Sequence, residues 1–105
     1  MHRVLVVCGA GASSTFLAHR IRGLARRSDI EATVTAASTV GLEQRLSDID
    51  VLLVGPHLRT QFDELRTMAA HAGVESALLP DSVFGAGGEE AALQLVMQLS
   101  TPRSR

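Results

Sequence analysis

The chain contains no lysine: its ten basic residues are all arginine. Lysine-based chemistry, Schiff bases included, is thereby excluded. Cysteine occurs once, at Cys8, so no internal disulfide can form, and without a Cys-x-x-Cys pair a structural zinc site has no basis. A reducing, cytoplasmic setting is expected. Long apolar runs are missing as well. The run after Arg3 covers residues 4–8 before Gly9, too short for a signal-peptide core, and nothing approaches the roughly 18 apolar residues of a membrane span. Neither sign of charge dominates. Ten basic and eleven acidic residues leave a net charge of −1, which argues against nucleic acid or an anionic membrane as a partner.

What is present is enough for a core. Of 105 residues, 46% are hydrophobic, and a chain of this length buries roughly 60–68% of its unfolded surface. No repeat, linker or low-complexity tract marks a second domain. Residues 1–101 are therefore expected to form a single domain and residues 102–105 a frayed tail.

The stretch Val4-Leu5-Val6-Val7-Cys8-Gly9-Ala10-Gly11-Ala12-Ser13-Ser14-Thr15 organises the rest. Its apolar start suits a strand, residues 3–7, buried on both faces of a parallel sheet. Gly9 and Gly11 permit a tight loop whose backbone approaches a ligand, and Ser13, Ser14 and Thr15 supply hydroxyls and N-cap candidates for the next helix. Such a helix start exposes unpaired N–H groups and a partial positive charge, which bind phosphate. Cys8 stands at the lip of this cradle. Donors and dipole there favour thiolate, lowering a cysteine pKa from about 8.5 to roughly 3.5–7.5 and making the sulfur a nucleophile.

Downstream, Leu17, Ile21, Leu24 and Ala25 recur at helical spacing from Ser14 to about Arg27. Ile30 to Ala36 reads as a strand near a sheet edge, and a short helix is expected around Gly41–Leu46. Residues 50–54 form another buried strand, closed by Gly55-Pro56, with Pro56 in the first turn of a helix that runs to about His71. Gly73 stops that helix. Val74 to Leu79 gives a fourth strand, Pro80-Asp81-Ser82 a helical turn, and Glu89 to Leu99 a last helix with acids in its first turn. Strands alternating with helices predict an α/β three-layer sandwich. Its four-stranded parallel sheet, order 2-1-3-4 with helices on both faces, would bring the loops after strands one and three together at the carboxyl edge.

These residues resemble a known family. The buried first strand with Cys8-Gly-Ala-Gly-Ala-Ser-Ser-Thr15, then Val51-Leu-Leu-Val-Gly-Pro56, then Asp81-Ser-Val-Phe-Gly85 before a closing helix, is similar to the IIB component of the phosphoenolpyruvate-dependent sugar phosphotransferase system, lactose/cellobiose type. The resemblance covers nearly the whole chain. It implies a protein-phosphocysteine sugar phosphotransferase in which Cys8 takes a phosphoryl group from phosphohistidine of a IIA protein and passes it to a sugar bound by a membrane IIC permease. Gly9, Ala10, Gly11, Ala12, Ser13, Ser14 and Thr15 would be the phosphate-binding loop. No cofactor, no metal, no nucleic acid and no direct membrane insertion are implied. Two positions depart from the pattern: His57 stands where Gln follows the Gly-Pro pair, and the segment after Phe84-Gly85 is rich in glycine.

The residues leave alternatives open. A low-molecular-weight cysteine phosphatase or arsenate reductase would share the loop, but it needs an arginine six residues after the cysteine to clamp phosphate, and that position is Ser14. Arg20, the first arginine downstream, reads as a solvated or snorkelling side chain. A non-catalytic anion-binding regulatory module with an inert Cys8 is the other alternative. Among the histidines, His2, His19 and His71 read as solvated, whereas His57 is a candidate loop or partner contact because its loop adjoins that of Cys8. Glu89 and Glu90 read as helix-dipole partners.

Overall fold

The computed structural model describes residues 2–8 and 11–99, the side chains of residues 11–13 excepted. The expected tail at 102–105 lies outside the described residues, as do Gly9 and Ala10 of the expected phosphate loop. Strands β1 (His2–Val7), β2 (Ala32–Ala37), β3 (Val51–Val54) and β4 (Glu75–Leu78) alternate with helices α1 (Gly11–Arg27), α2 (Leu42–Arg45), α3 (Phe62–His71) and α4 (Gly88–Leu99). Single 3₁₀ segments cover Leu46–Asp48, Pro56–Gln61 and Asp81–Phe84. The sheet order is β2-β1-β3-β4 and every pairing is parallel, as the sequence predicts.

Alternation along the two central strands sorts their side chains between two cores. Val4, Val6 and Cys8 of the first strand and its end pack with Val51 and Leu53 beneath α1 and α4. Leu5, Val7, Leu52 and Val54 face the other way, toward α2 and α3. All eight strand residues are buried, which is why these segments read as unbroken apolar runs rather than as alternating ones. The result is the expected three-layer sandwich.

Several boundaries move, each for a local reason. Helix α1 begins at Gly11 rather than at Ser14, so Ser13, Ser14 and Thr15 lie inside its opening turns and are not N-caps. Strand β2 starts at Ala32 because Asp29 adopts a left-handed φ of 59° and the Ile30 N–H closes back onto the Ala25 carbonyl at 2.8 Å. Ile30 thus serves the turn, while its side chain packs against the core. The helix expected from Pro56 to His71 is divided. Pro56–Gln61 is 3₁₀, with Leu58 at φ −104°, ψ 19°, before α3 proper begins at Phe62. Gly73 ends α3 with a φ of 76°, a conformation glycine adopts without penalty.

One polar clasp fixes the amino edge of the sheet. The Asp50 carboxylate accepts the Arg3 backbone N–H at 2.9 Å and the Arg3 guanidinium at 3.0 and 3.3 Å, while the Asp50 N–H donates to the Arg3 carbonyl at 2.7 Å. Hydrogen bonding to Arg3 holds the Asp50 carboxyl below its ordinary range. A depressed carboxylate pKa gives stability that is present above the unfolded-state value and lost as pH falls through the folded one. Replacing Asp50→Asn is expected to lower Tm at pH 7 and to flatten the loss of Tm between about pH 5 and pH 3, as read by thermal melts across that range. Leu53 is fully buried between the central strands and the α1/α4 layer. Leu53→Ala is expected to cost about 2–5 kcal/mol in denaturant unfolding.

Candidate active site at the carboxyl edge of the sheet

Cys8 immediately follows β1 and continues the side of that strand facing α1 and α4, where it packs in one cluster with Leu17, Leu79 and Val83. Because β1 pairs with β3 through Val7 and Val54, the next residues of the two strands also lie side by side. The Gly55 N–H donates to the Val7 carbonyl at 2.8 Å, extending the ladder past the end of β3. A β-carbon built on Gly55 would stand 2.6 Å from the Cys8 Sγ. The two loops that topology was expected to bring together are therefore in contact.

Helix α1 starts three residues after Cys8, at Gly11. Its opening turn carries no acidic residue, whereas α2 has Glu43 there, α3 has Asp63 and Glu64, and α4 has Glu89 and Glu90. Among the described residues, α1 is thus the helix that brings no carboxylate of its own to the positive end of its dipole. Ser14 is buried and Thr15 exposed within the first two turns.

The state of the thiol differs from the sequence expectation. Cys8 is 1% exposed, and burial pushes its pKa up rather than down. Desolvation penalises the charged form, so burial favours the protonated thiol.

His57 lies in the 3₁₀ turn after Gly55, exposed, with its ring 5.9 Å from that of Phe84 and tilted by 37°. Beside it Arg59 pairs with Asp81 at 3.4 Å. The turn that follows β3 is thus joined to the turn that follows β4, and His57 is placed on the outer surface of that seam. His19 and His71 are exposed, consistent with solvated side chains.

Two residues behave otherwise than their local sequence suggests. Arg20 is not simply solvated: its guanidinium lies 2.7 Å from Glu89 Oε1 and 5.5 Å from the centre of the Phe16 ring. This pair joins α1 to α4. Glu89 is held below its ordinary range first by its own backbone N–H, as a first-turn acid should be, and then by Arg20. The link spans residues 69 positions apart in sequence, and no local signal announces it. Gly55 is the other. It reads in sequence as a strand terminator, and nothing local discloses its contact with Cys8.

Because burial raises the Cys8 pKa, the folded chain holds the thiol proton more tightly than the unfolded chain. That contribution to stability is complete below the ordinary thiol value near 9.0 and is lost as pH rises through the folded value. The fall in Tm between pH 7 and pH 10.5 is therefore expected to be larger for the wild type than for Cys8→Ala. Iodoacetamide should modify Cys8 at neutral pH at least tenfold more slowly in the native protein than in denaturant.

The family model for the lactose/cellobiose-specific IIB subunit of the PTS system matches residues 3–82. Among solved structures, the lactose-specific IIB component domain of the phosphoenolpyruvate:carbohydrate phosphotransferase system from Streptococcus pneumoniae superposes with a TM-score of 0.81 at 19% identity, covering 93% of this chain and 96% of that one. The cellobiose-specific phosphotransferase IIB component protein from Borrelia burgdorferi superposes with a TM-score of 0.77 at 28% identity, covering 98% of this chain and 94% of that one. Among curated proteins none matches.

Proposed function

The chain belongs to the lactose/cellobiose-specific IIB subunit family of the PTS system, which implies a phosphoryl-transfer role, and from that premise we propose that Cys8 is the residue that carries the phosphoryl group. The observation that supports this reading is the juxtaposition of the chain's one thiol with a helix start that has no carboxylate of its own. A nucleophile and an anion site adjoin at the carboxyl edge of a parallel sheet.

The reaction runs in two halves. In the first, the Cys8 sulfur, having given up its proton, donates an electron pair to the phosphorus of a phosphohistidine on a IIA protein. The S–P bond forms as the P–N bond breaks, and the imidazole leaves carrying the electrons of that bond and takes up a proton. In the second, a hydroxyl of a sugar held by a membrane IIC permease attacks the same phosphorus. An O–P bond forms, the S–P bond breaks, the hydroxyl proton is released, and the thiolate is restored. Phosphoryl transfer has a loose transition state, so the protein's contribution is positioning and charge stabilisation. In this reading the stretch from Gly9 to Thr15 supplies most of it, through backbone N–H groups at the entry to α1, which begins at Gly11. Burial, in favouring the protonated thiol, makes loss of the proton part of the first half-reaction, coupled to arrival of the phosphoryl donor. In this reading the site of action is cytoplasmic and His57, exposed beside Phe84, contacts a docking partner.

A phosphatase reading fits less well. The position six residues after Cys8 is a buried serine, and Arg20 is engaged by Glu89, so the loop has no arginine to clamp phosphate for hydrolysis. A phosphocysteine without that clamp can persist until the sugar arrives.

Exposure to a phosphohistidine-charged IIA of the lactose/cellobiose type is expected to add one phosphoryl group, seen in the intact mass, mapped to Cys8 and absent in Cys8→Ser. No transfer from a cognate IIA to a folded protein would overturn the reading, and hydrolysis of an aryl phosphate would favour the phosphatase instead.

A further inference from the structure

Gly55 has φ −67° and ψ 155°, an extended conformation open to any residue. Backbone freedom therefore does not explain a glycine here. Space does. A β-carbon at position 55 would meet the Cys8 Sγ at 2.6 Å, its Cβ at 3.2 Å and its Cα at 3.3 Å, and the first of these distances is far inside van der Waals contact. All three atoms belong to Cys8. Relief by a small sulfur movement is restricted, because Cys8 is 1% exposed and packed among Leu17, Leu79 and Val83, and dense cores transmit strain rather than absorb it. The backbone at position 55 is itself pinned by its hydrogen bond to Val7 and by Pro56.

From this we infer that Gly55 is a positioning residue for the nucleophile: its missing side chain reserves the place of the Cys8 sulfur, so that β3 holds the thiol in one rotamer at the carboxyl edge. The consequence for phosphoryl transfer rests on Cys8 being the carrier, but the steric relation does not. Reaction geometry is sensitive to displacements of about 1 Å. The sulfur displaced by an alanine at 55 would be moved by at least that order.

The experiment is a double-mutant cycle with a transfer assay. Gly55→Ala is compared with wild type, and Gly55→Ala in a Cys8→Ala background with Cys8→Ala alone. Each pair is followed by thermal melting. The loss of Tm caused by Gly55→Ala is expected to shrink at least twofold once the sulfur is absent, because the 2.6 Å contact is then gone. In the folded Gly55→Ala protein with Cys8 intact, the rate of phosphoryl uptake from a phosphohistidine-charged IIA should fall at least tenfold, and the midpoint of the pH profile for iodoacetamide modification should move by half a unit or more. If Gly55→Ala does not fold alone but folds in the Cys8→Ala background, the same coupling is read directly. Equal losses in both backgrounds, failure to fold in both, or wild-type transfer and an unmoved pH profile in a folded Gly55→Ala protein would each overturn the inference. Failure of the carrier reading would be seen separately, as absence of uptake by the wild type, with the melting cycle still deciding whether the glycine keeps the sulfur's place.

Discussion

The pairing of β1 with β3 is the constraint on which the rest depends. From Val4 to Val7 and from Val51 to Val54 both strands are buried on both faces, so neither can present a polar group along those stretches without leaving it unsatisfied in the core. Polar side chains can be presented only where those stretches end. There the backbone turns out, the ladder runs one residue further through Gly55 and Val7, and the start of α1 lies close by in sequence. Parallel pairing puts all of these ends on one edge, and the order β2-β1-β3-β4 places β1 and β3 at its centre.

Around that edge the fold spends its charged residues on holding elements together. Arg20 and Glu89 join α1 to α4, Arg59 and Asp81 join the turns after β3 and β4, and Arg3 with Asp50 clasps the opposite edge. Two of these pairs are largely exposed, and exposed pairs add little stability. Each nevertheless ties together two elements remote in sequence, the first helix to the last, the first strand to the start of the third, and the turn after β3 to that after β4. Glu89 combines two tasks, complementing the α4 dipole and engaging Arg20 of α1.

Much of this was legible in the sequence, because the apolar runs at residues 4–7 and 51–54 have no reading other than doubly buried strands, and parallel alternation follows from the helical patterns between them. Alternation alone does not fix the strand order; given the order 2-1-3-4, the meeting of the two loops follows. Where reading failed, the cause was tertiary. The 3₁₀ segment before α3 has the same apolar spacing as a helix, and only the kink at Leu58 tells them apart. The Arg20 to Glu89 pair and the Gly55 to Cys8 contact bridge residues remote in sequence, where periodicity carries no information. The direction of the Cys8 shift was missed for a related reason. A dipole can be inferred from a motif, but the desolvation that opposes ionisation depends on burial in a core assembled from several segments remote in sequence.

Burial of the thiol has a bearing on durability as well as on reactivity. Thiolate is the form that attacks peroxides and disulfides, and susceptibility follows thiolate character together with exposure. Cys8 has neither in this structure. The chain's one thiol is thereby shielded from sulfenic acid formation and from mixed disulfides.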